Sequence, residues 1–137
     1  GEPVEIKDLY RTAIPRCAPG DTLHDVAKAM EEADSGFVAV VADGRLQGVI
    51  SERDIVRATA RGADPGSATA AEFATTEVLT ATPDEDEVEV ARRMLDNKVR
   101  RLPVVSTKGD LLGMVSMRDL FTIETLMSDQ NQGVGDA

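Results

Sequence analysis

The chain has 137 residues, 15 Lys and Arg against 25 Asp and Glu, and a formal net charge of −10. That length sets one compact domain, or two small halves sharing a core, as the expectation, and an apolar content of 42% excludes disorder for most of it. The acidic balance argues against non-specific nucleic-acid binding, no apolar run approaches the roughly 18 residues of a membrane span, and the single cysteine, Cys17, excludes an internal disulfide. A soluble cytoplasmic protein with neither a nucleic-acid nor a membrane partner is the expectation. Gly1 in place of Met leads to the expectation of a trimmed chain, and the N-terminus does not read as a signal peptide.

In chain order, Ile6–Leu9 is a short opening segment, and Ala13–Ala18 is extended and ended by Pro19-Gly20. Thr22, with Asp25 three residues on, marks a helix start, and Leu23, Val26, Ala27 and Met30 fall on one helical face. Phe37–Val41 and Leu46–Ile50 read as strands of a hairpin turning at Asp43-Gly44. Glu52–Arg61 is a second helix with Ile55, Val56 and Thr59 inward, and residues 62–67 form a loop by composition. Thr69–Phe73 is a short helix, the counterpart of Ile6–Leu9. Val78–Thr80 is extended, and Glu87–Asn97 is a helix with Val90, Ala91, Met94 and Leu95 apolar. Arg101–Val105 and Leu111–Val115 form a second hairpin, Met117 to about Met127 a closing helix, and the rest a polar tail.

The order of elements repeats. Gly48-Val49-Ile50-Ser51-Glu52-Arg53-Asp54 returns 65 residues on as Gly113-Met114-Val115-Ser116-Met117-Arg118-Asp119. Upstream the offset is 64, with Pro19, Val26, Ala27 and Met30 meeting Pro83, Val90, Ala91 and Met94. The extra residue falls in the hairpin turns, where insertion is cheapest. The chain therefore divides into a first repeat over 4–61, a linker over 62–68, a second repeat over 69–127 and a flexible tail over 128–137.

Chemistry concentrates where each returning strand meets a helix. Ser51 and Ser116 stand where backbone N–H groups lack helical partners, a place that favours an anion such as phosphate. Asp54 and Asp119, three residues on, can accept two hydrogen bonds from a sugar diol. The same S-x-x-D spacing is also a plain capping box. Arg53 and Arg118 repeat too, as surface ion-pair partners or as phosphate contacts. Asp84-Glu85-Asp86-Glu87-Val88-Glu89 carries five acids in six positions, which suits a helix start and lacks the alternation and glycine of a calcium loop. His24 has no companion at ligand spacing, Cys17 reads as a buried thiol, and Met94, Met114, Met117 and Met127 read as core or interface. No metal site is expected, nor any catalytic residue, since no nucleophile–base pair or P-loop is present.

The repeated pattern, from Pro19–Met30, Phe37–Ile50 and Ser51–Asp54 to Pro83–Met94, Val99–Val105, Leu111–Val115 and Ser116–Asp119, resembles the cystathionine-β-synthase (CBS) motif. The chain looks like a tandem pair, a Bateman module. The runs Asp64–Ala70 and Val99–Val104 look like stand-alone bacterial CBS-pair proteins of the actinobacterial hypoxic-response type. The resemblance implies an α/β (α+β) fold of two pseudo-symmetric repeats, each β-α-β-β-α, packed sheet to sheet. It implies a regulatory module, not an enzyme, that binds an adenosine-containing ligand (AMP, ADP, ATP or S-adenosylmethionine) and requires no cofactor. One cleft would take Asp119, Ser116, Arg100 and Arg101 with Ala13, Ile14, Phe37 and Val38; the other would take Asp54 and Ser51 with Val78 and Leu102. Arg100 and Arg101 align with Gly36 and Phe37, so the Asp119 cleft is expected to bind a nucleotide more tightly. A ligand-free dimerisation scaffold is the alternative. A homodimer through Leu120, Ile123, Leu126 and Met127 is expected, together with an unknown regulated protein.

Overall fold

A computed structural model of the chain describes residues 4–120. They form two compact units: one of residues 13–79 and 107–111, the other of residues 4–12, 80–106 and 112–120.

In the first unit, β1 (Arg16–Cys17) leads through α1 (Leu23–Ala33) to β2 (Phe37–Ala42), which lies parallel to β1 and antiparallel to β3 (Arg45–Ser51). The central strand β2 is apolar throughout, and Val38, Ala39 and Val40 are buried, as a strand covered on both faces requires. Its turn to β3 places Asp43 at φ 53° and Gly44 at φ 78°. Left-handed conformation at both central residues gives the turn the twist of its strands. α1 starts as the sequence predicts, the Thr22 hydroxyl accepting from the Asp25 N–H at 3.2 Å. Its buried residues are Leu23, Val26 and Met30, whereas Ala27, expected with them, is exposed.

β3 runs directly into α2 (Glu52–Ala60). The inward face of α2 is not the expected one of Ile55, Val56 and Thr59. Asp54 and Ala58 are the buried residues, Ile55 is half-buried, Thr59 is exposed and Val56 is 66% exposed. The cause is local. Asp54 bends back to cap Ser51, and Ala58, four residues on, lies on the same face. Ala58 joins Val26, Val38, Val40 and Ile50 in this unit's core. The short α3 (Ala70–Phe73) follows, and Ala70 is buried in the same core.

The second unit repeats the plan with α4 (Glu87–Asp96) and the hairpin of β4 (Arg101–Val105) and β5 (Leu111–Ser116). Where the first unit has β1, a single residue, Ala81, bridges parallel to Val104. The extended stretch read at Val78–Thr80 thus pairs just beyond its end. α4 buries Val90, Ala91 and Met94 in a core with Ile6, Leu102 and Val104. Leu95, expected among them, is 43% exposed, and Glu87 is buried at the place where α1 has Leu23. After β5, Met117–Asp119 is a 3-10 turn. The remainder of the predicted closing helix, with Ile123, Leu126 and Met127, and the tail over 128–137 lie outside the described residues.

The compact units cut across the sequence repeats. The segment opening each repeat is built into the unit of the other. Ile6 and Lys7, in a 3-10 turn over Ile6–Asp8, donate N–H groups to the carbonyls of Glu85 and Pro83 at 3.0 and 2.8 Å, and Glu87 N–H donates to Val4 at 2.8 Å. At an offset of 64 the same bonds recur. Ala70 and Ala71 donate to Asp21 and Pro19 at 2.7 and 2.9 Å, and Leu23 N–H donates to Ala68 at 3.0 Å. Leu23 and Glu87 are first-turn residues, whose N–H groups a helix leaves unsatisfied. The next residues make a second paired contact. Arg11 exchanges backbone hydrogen bonds with Met114 at 2.9 and 2.8 Å, and Thr75 does so with Val49 at 2.8 and 2.9 Å.

These strand-like crossings explain the repeated glycines. A Cβ on Gly113 would lie 2.1 Å from the Arg11 carbonyl oxygen, and one on Gly48 would lie 2.7 Å from that of Thr75. Backbone cannot swing aside as a side chain can. Gly113→Ala is therefore expected to destabilise the protein by about 2–3 kcal/mol and Gly48→Ala by about 1–2 kcal/mol, the order read from midpoints of urea unfolding.

A second expectation concerns acid. Arg93 on α4 donates to Thr80 C=O at 2.7 Å and to both carboxylate oxygens of Glu85, one of which also accepts from Thr82 N–H at 2.9 Å. The Arg93 hydrogen bond, aided by that from Thr82, holds the Glu85 carboxyl below its usual range against the opposing effect of burial. Its contribution is complete above the ordinary carboxylate range and lost as pH falls through the lowered value. Because the pair is partly solvent-screened, Glu85→Gln is expected to cost about 1 kcal/mol at neutral pH. It should also flatten the acid limb of the stability–pH curve.

Candidate functional site

Each unit carries one Ser-x-x-Asp box at the point where its last strand meets a helical turn. In the first unit Ser51 donates its N–H to Asp54 Oδ2 at 2.9 Å and its hydroxyl to the same oxygen at 3.2 Å. Asp54 N–H returns a bond to Ser51 Oγ at 3.4 Å. In the second unit Ser116 donates N–H and hydroxyl to Asp119 Oδ2, both at 2.9 Å. Asp54 is 7% exposed, and so is the Asp119 side chain. Both serines thus act as helix-start caps. Both carboxylates are fixed through Oδ2, leaving Oδ1 as the atom that can accept from a ligand.

The two boxes differ at Oδ1. Arg11 Nε–H donates to Asp119 Oδ1 at 3.0 Å. Thr75 occupies the equivalent place over Gly48, and among the described residues the carboxylate of Asp54 accepts through Oδ2 alone. The surroundings differ in charge as well. Glu52 N–H donates to Gly36 C=O at 3.0 Å, and its carboxylate packs where a Gly36 side chain would be. In the second unit the corresponding bond joins Met117 N–H to Arg100 C=O at 2.8 Å. A carboxylate beside the first box is thus replaced by methionine, and the glycine by arginine. Arg11 escapes sequence reading: it stands 108 residues from its partner, and its alignment mate is a threonine.

The remaining predicted site residues divide by unit. Ser116, Asp119, Arg100 and Arg101 share the second unit with Leu102, and both arginines are exposed. Ser51 and Asp54 share the first unit with Ala13, Ile14, Phe37, Val38 and Val78. Phe37 pairs directly with Ser51 across the β2–β3 ladder and is half-buried. The side chains of Val38 and Leu102 belong to the two cores, so these residues offer a ligand only their backbone. Ile14 is 9% exposed and Ala13 is exposed just ahead of β1.

Comparison with known proteins places this arrangement. A family model described as the CBS domain matches residues 6–61 and 70–124. The chain belongs to the CBS domain family and carries two such domains. The "CBS domain-containing protein YhcV" of Bacillus subtilis is 31% identical over 93% of this chain and 89% of its own. "Hypoxic response protein 1" of Mycobacterium tuberculosis is 32% identical over 83% of this chain and 80% of its own. Among solved structures, the CBS domain pair of protein MJ0100 in complex with 5′-methylthioadenosine and S-adenosyl-L-methionine superposes with a TM-score of 0.75. It has 25% identity and covers 94% of this chain and 99% of that one. The resemblance to CBS pairs, including a hypoxic-response relative, and the mixed α/β fold follow from these matches.

Among the described residues no group of three His, Cys, Asp or Glu side chains converges as metal ligands do. Cys17 is buried in the first core, and burial, then the nearby Asp21 carboxylate, pushes its thiol up to about 11. At pH 8 the thiolate fraction is then about one in a thousand. Iodoacetamide is expected to label Cys17 roughly a hundredfold more slowly in the native protein than in denaturant, as followed by mass spectrometry.

Proposed function

We propose that the protein is a small-molecule-sensing regulatory module, not an enzyme, whose ligand contains adenosine. The observation that carries this reading is the repeated Ser-x-x-Asp box. It holds a protected carboxylate at the start of a helical turn, with Oδ2 committed to the serine and Oδ1 left to accept from other donors. A vicinal ribose diol is such a donor. The likeness to a CBS pair that holds two adenosyl compounds supports the same class. Arg100 and Arg101 would contact a phosphate, while backbone near Ala13, Ile14, Val38, Val78 and Leu102, with the ring of Phe37, would border the base. No cofactor is required in this reading. The module acts as a homodimer in the cytoplasm and passes ligand occupancy to a partner protein.

A second reading, a scaffold without ligand, draws on one observation: in both boxes the serine and aspartate already satisfy each other. Thermal unfolding separates the two. AMP, ADP, ATP, S-adenosylmethionine and 5′-methylthioadenosine are each added at millimolar concentration. A ligand present at 100 times its Kd stabilises the native state by about 2.7 kcal/mol, a rise of several degrees. Such a rise with at least one compound, diminished in Asp54→Ala or Asp119→Ala, is expected. No rise with any of them would leave the scaffold.

A further inference from the structure

The two boxes share their Ser–Asp hydrogen bonds but not their electrostatics, and the charge nearest the second aspartate comes from outside the S-x-x-D motif. Arg11 is fixed by its two backbone hydrogen bonds to Met114, laid tightly over Gly113. From that anchor its guanidinium reaches Asp119 through Nε alone. The Arg11 side chain is 72% exposed, and its Nη1 and Nη2 groups have no partner among the described residues. Arg11 therefore occupies the one carboxylate oxygen the box leaves for a ligand, while presenting the free edge of its fork to solvent. The same anchor in the first unit carries Thr75, which brings no charge to Asp54.

We infer that Arg11 is a specificity-determining residue that makes the Ser116–Asp119 box selective for phosphorylated over neutral nucleosides. The inference rests on the adenosine-ligand reading and deepens it. A ribose diol that takes Asp119 Oδ1 with both hydroxyls competes with a charge-assisted hydrogen bond already made there. A neutral nucleoside gives the displaced guanidinium nothing in return. A nucleotide gives it an anion, and arginine's fork matches two phosphate oxygens. Arg100, whose carbonyl is tied to the same turn, adds positive charge on that side. At the Ser51–Asp54 box no cation among the described residues has to move, and the Glu52 carboxylate beside Gly36 disfavours an anion. Arg11 thus acts as an internal stand-in for the ligand's hydroxyls and, once displaced, as a phosphate contact.

The test is calorimetric titration of the full chain with AMP and with adenosine, in the wild type, Arg11→Met and the reciprocal Thr75→Arg. Both positions are exposed, so the variants are expected to melt near the wild-type temperature. The ratio of AMP to adenosine affinity should fall about tenfold in Arg11→Met, the scale of one charge-assisted hydrogen bond. Part of that change should come from tighter adenosine binding. Thr75→Arg should raise the ratio at the other box. An unchanged ratio in both variants, or an equal loss of both ligands in Arg11→Met, overturns the role of Arg11 and leaves the adenosine-ligand reading intact. Binding of 5′-methylthioadenosine without binding of AMP has the same consequence. Failure of the wild type to bind any adenosyl compound overturns that reading, and this inference with it.

Discussion

The fold depends on a trade of backbone hydrogen bonds between the two repeats. A helix cannot satisfy its own first N–H groups, and α1 and α4 begin too abruptly for side-chain caps to meet them all. Leu23 and Glu87 turn to the carbonyls of Ala68, the last linker residue, and Val4, each at the segment that opens the opposite repeat. Those segments in turn spend their own N–H groups on Pro19, Asp21, Pro83 and Glu85. Every later feature of the site is hung on this trade. It carries Arg11 to Met114 and Thr75 to Val49, and so decides what stands beside each aspartate. The glycines at 48 and 113 exist because the traded strands pass too close for a side chain.

Within that frame the boxes do structural work first. Each begins the helical turn after its sheet's last strand, and each aspartate would be retained for capping alone. The two carboxylates differ in what their second oxygen meets. Among the described residues, Arg11 donates to Asp119 Oδ1, whereas the hydrogen bonds of Asp54 all run through Oδ2. Sequence alignment of the repeats distinguishes the sites by Arg100 and Arg101, and Glu52 stands where the second motif has Met117. The structure adds Arg11, a residue outside the motif.

The parts legible in the sequence are those set by neighbours along the chain. Thr22 capping Asp25, the Asp43-Gly44 turn and the strand-to-box junctions at Ser51 and Ser116 are all decided within a few residues, and all were readable. Helix faces were harder. Ala27, Val56 and Leu95 fit an apolar stripe but are exposed. In helices of three turns or fewer, a cap that draws one residue inward rotates the whole stripe. Asp54 does this in α2. The segment exchange was not legible: Ile6–Asp8 and Ala70–Phe73 match each other by position, and nothing local says which repeat each will serve. The internal repeat supplied the correspondence between the two halves. It did not point to Arg11, whose partner lies 108 residues away and whose mate is a threonine.

The exchange of opening segments also bears on descent. Half of this chain, cut at the 62–68 linker, would carry an opening segment whose hydrogen-bond partners lie in a sister half. Two identical halves can satisfy each other by the same reciprocal bonds, which is how a symmetric dimer is built. Joining them end to end turns a concentration-dependent association into an intramolecular one. It also releases the two copies from having to stay alike. Positions 11 and 75, which identical halves would have to fill with one residue, are then free to differ. In this chain the two positions do differ, arginine at 11 and threonine at 75, so one fold presents two boxes with different electrostatic surroundings.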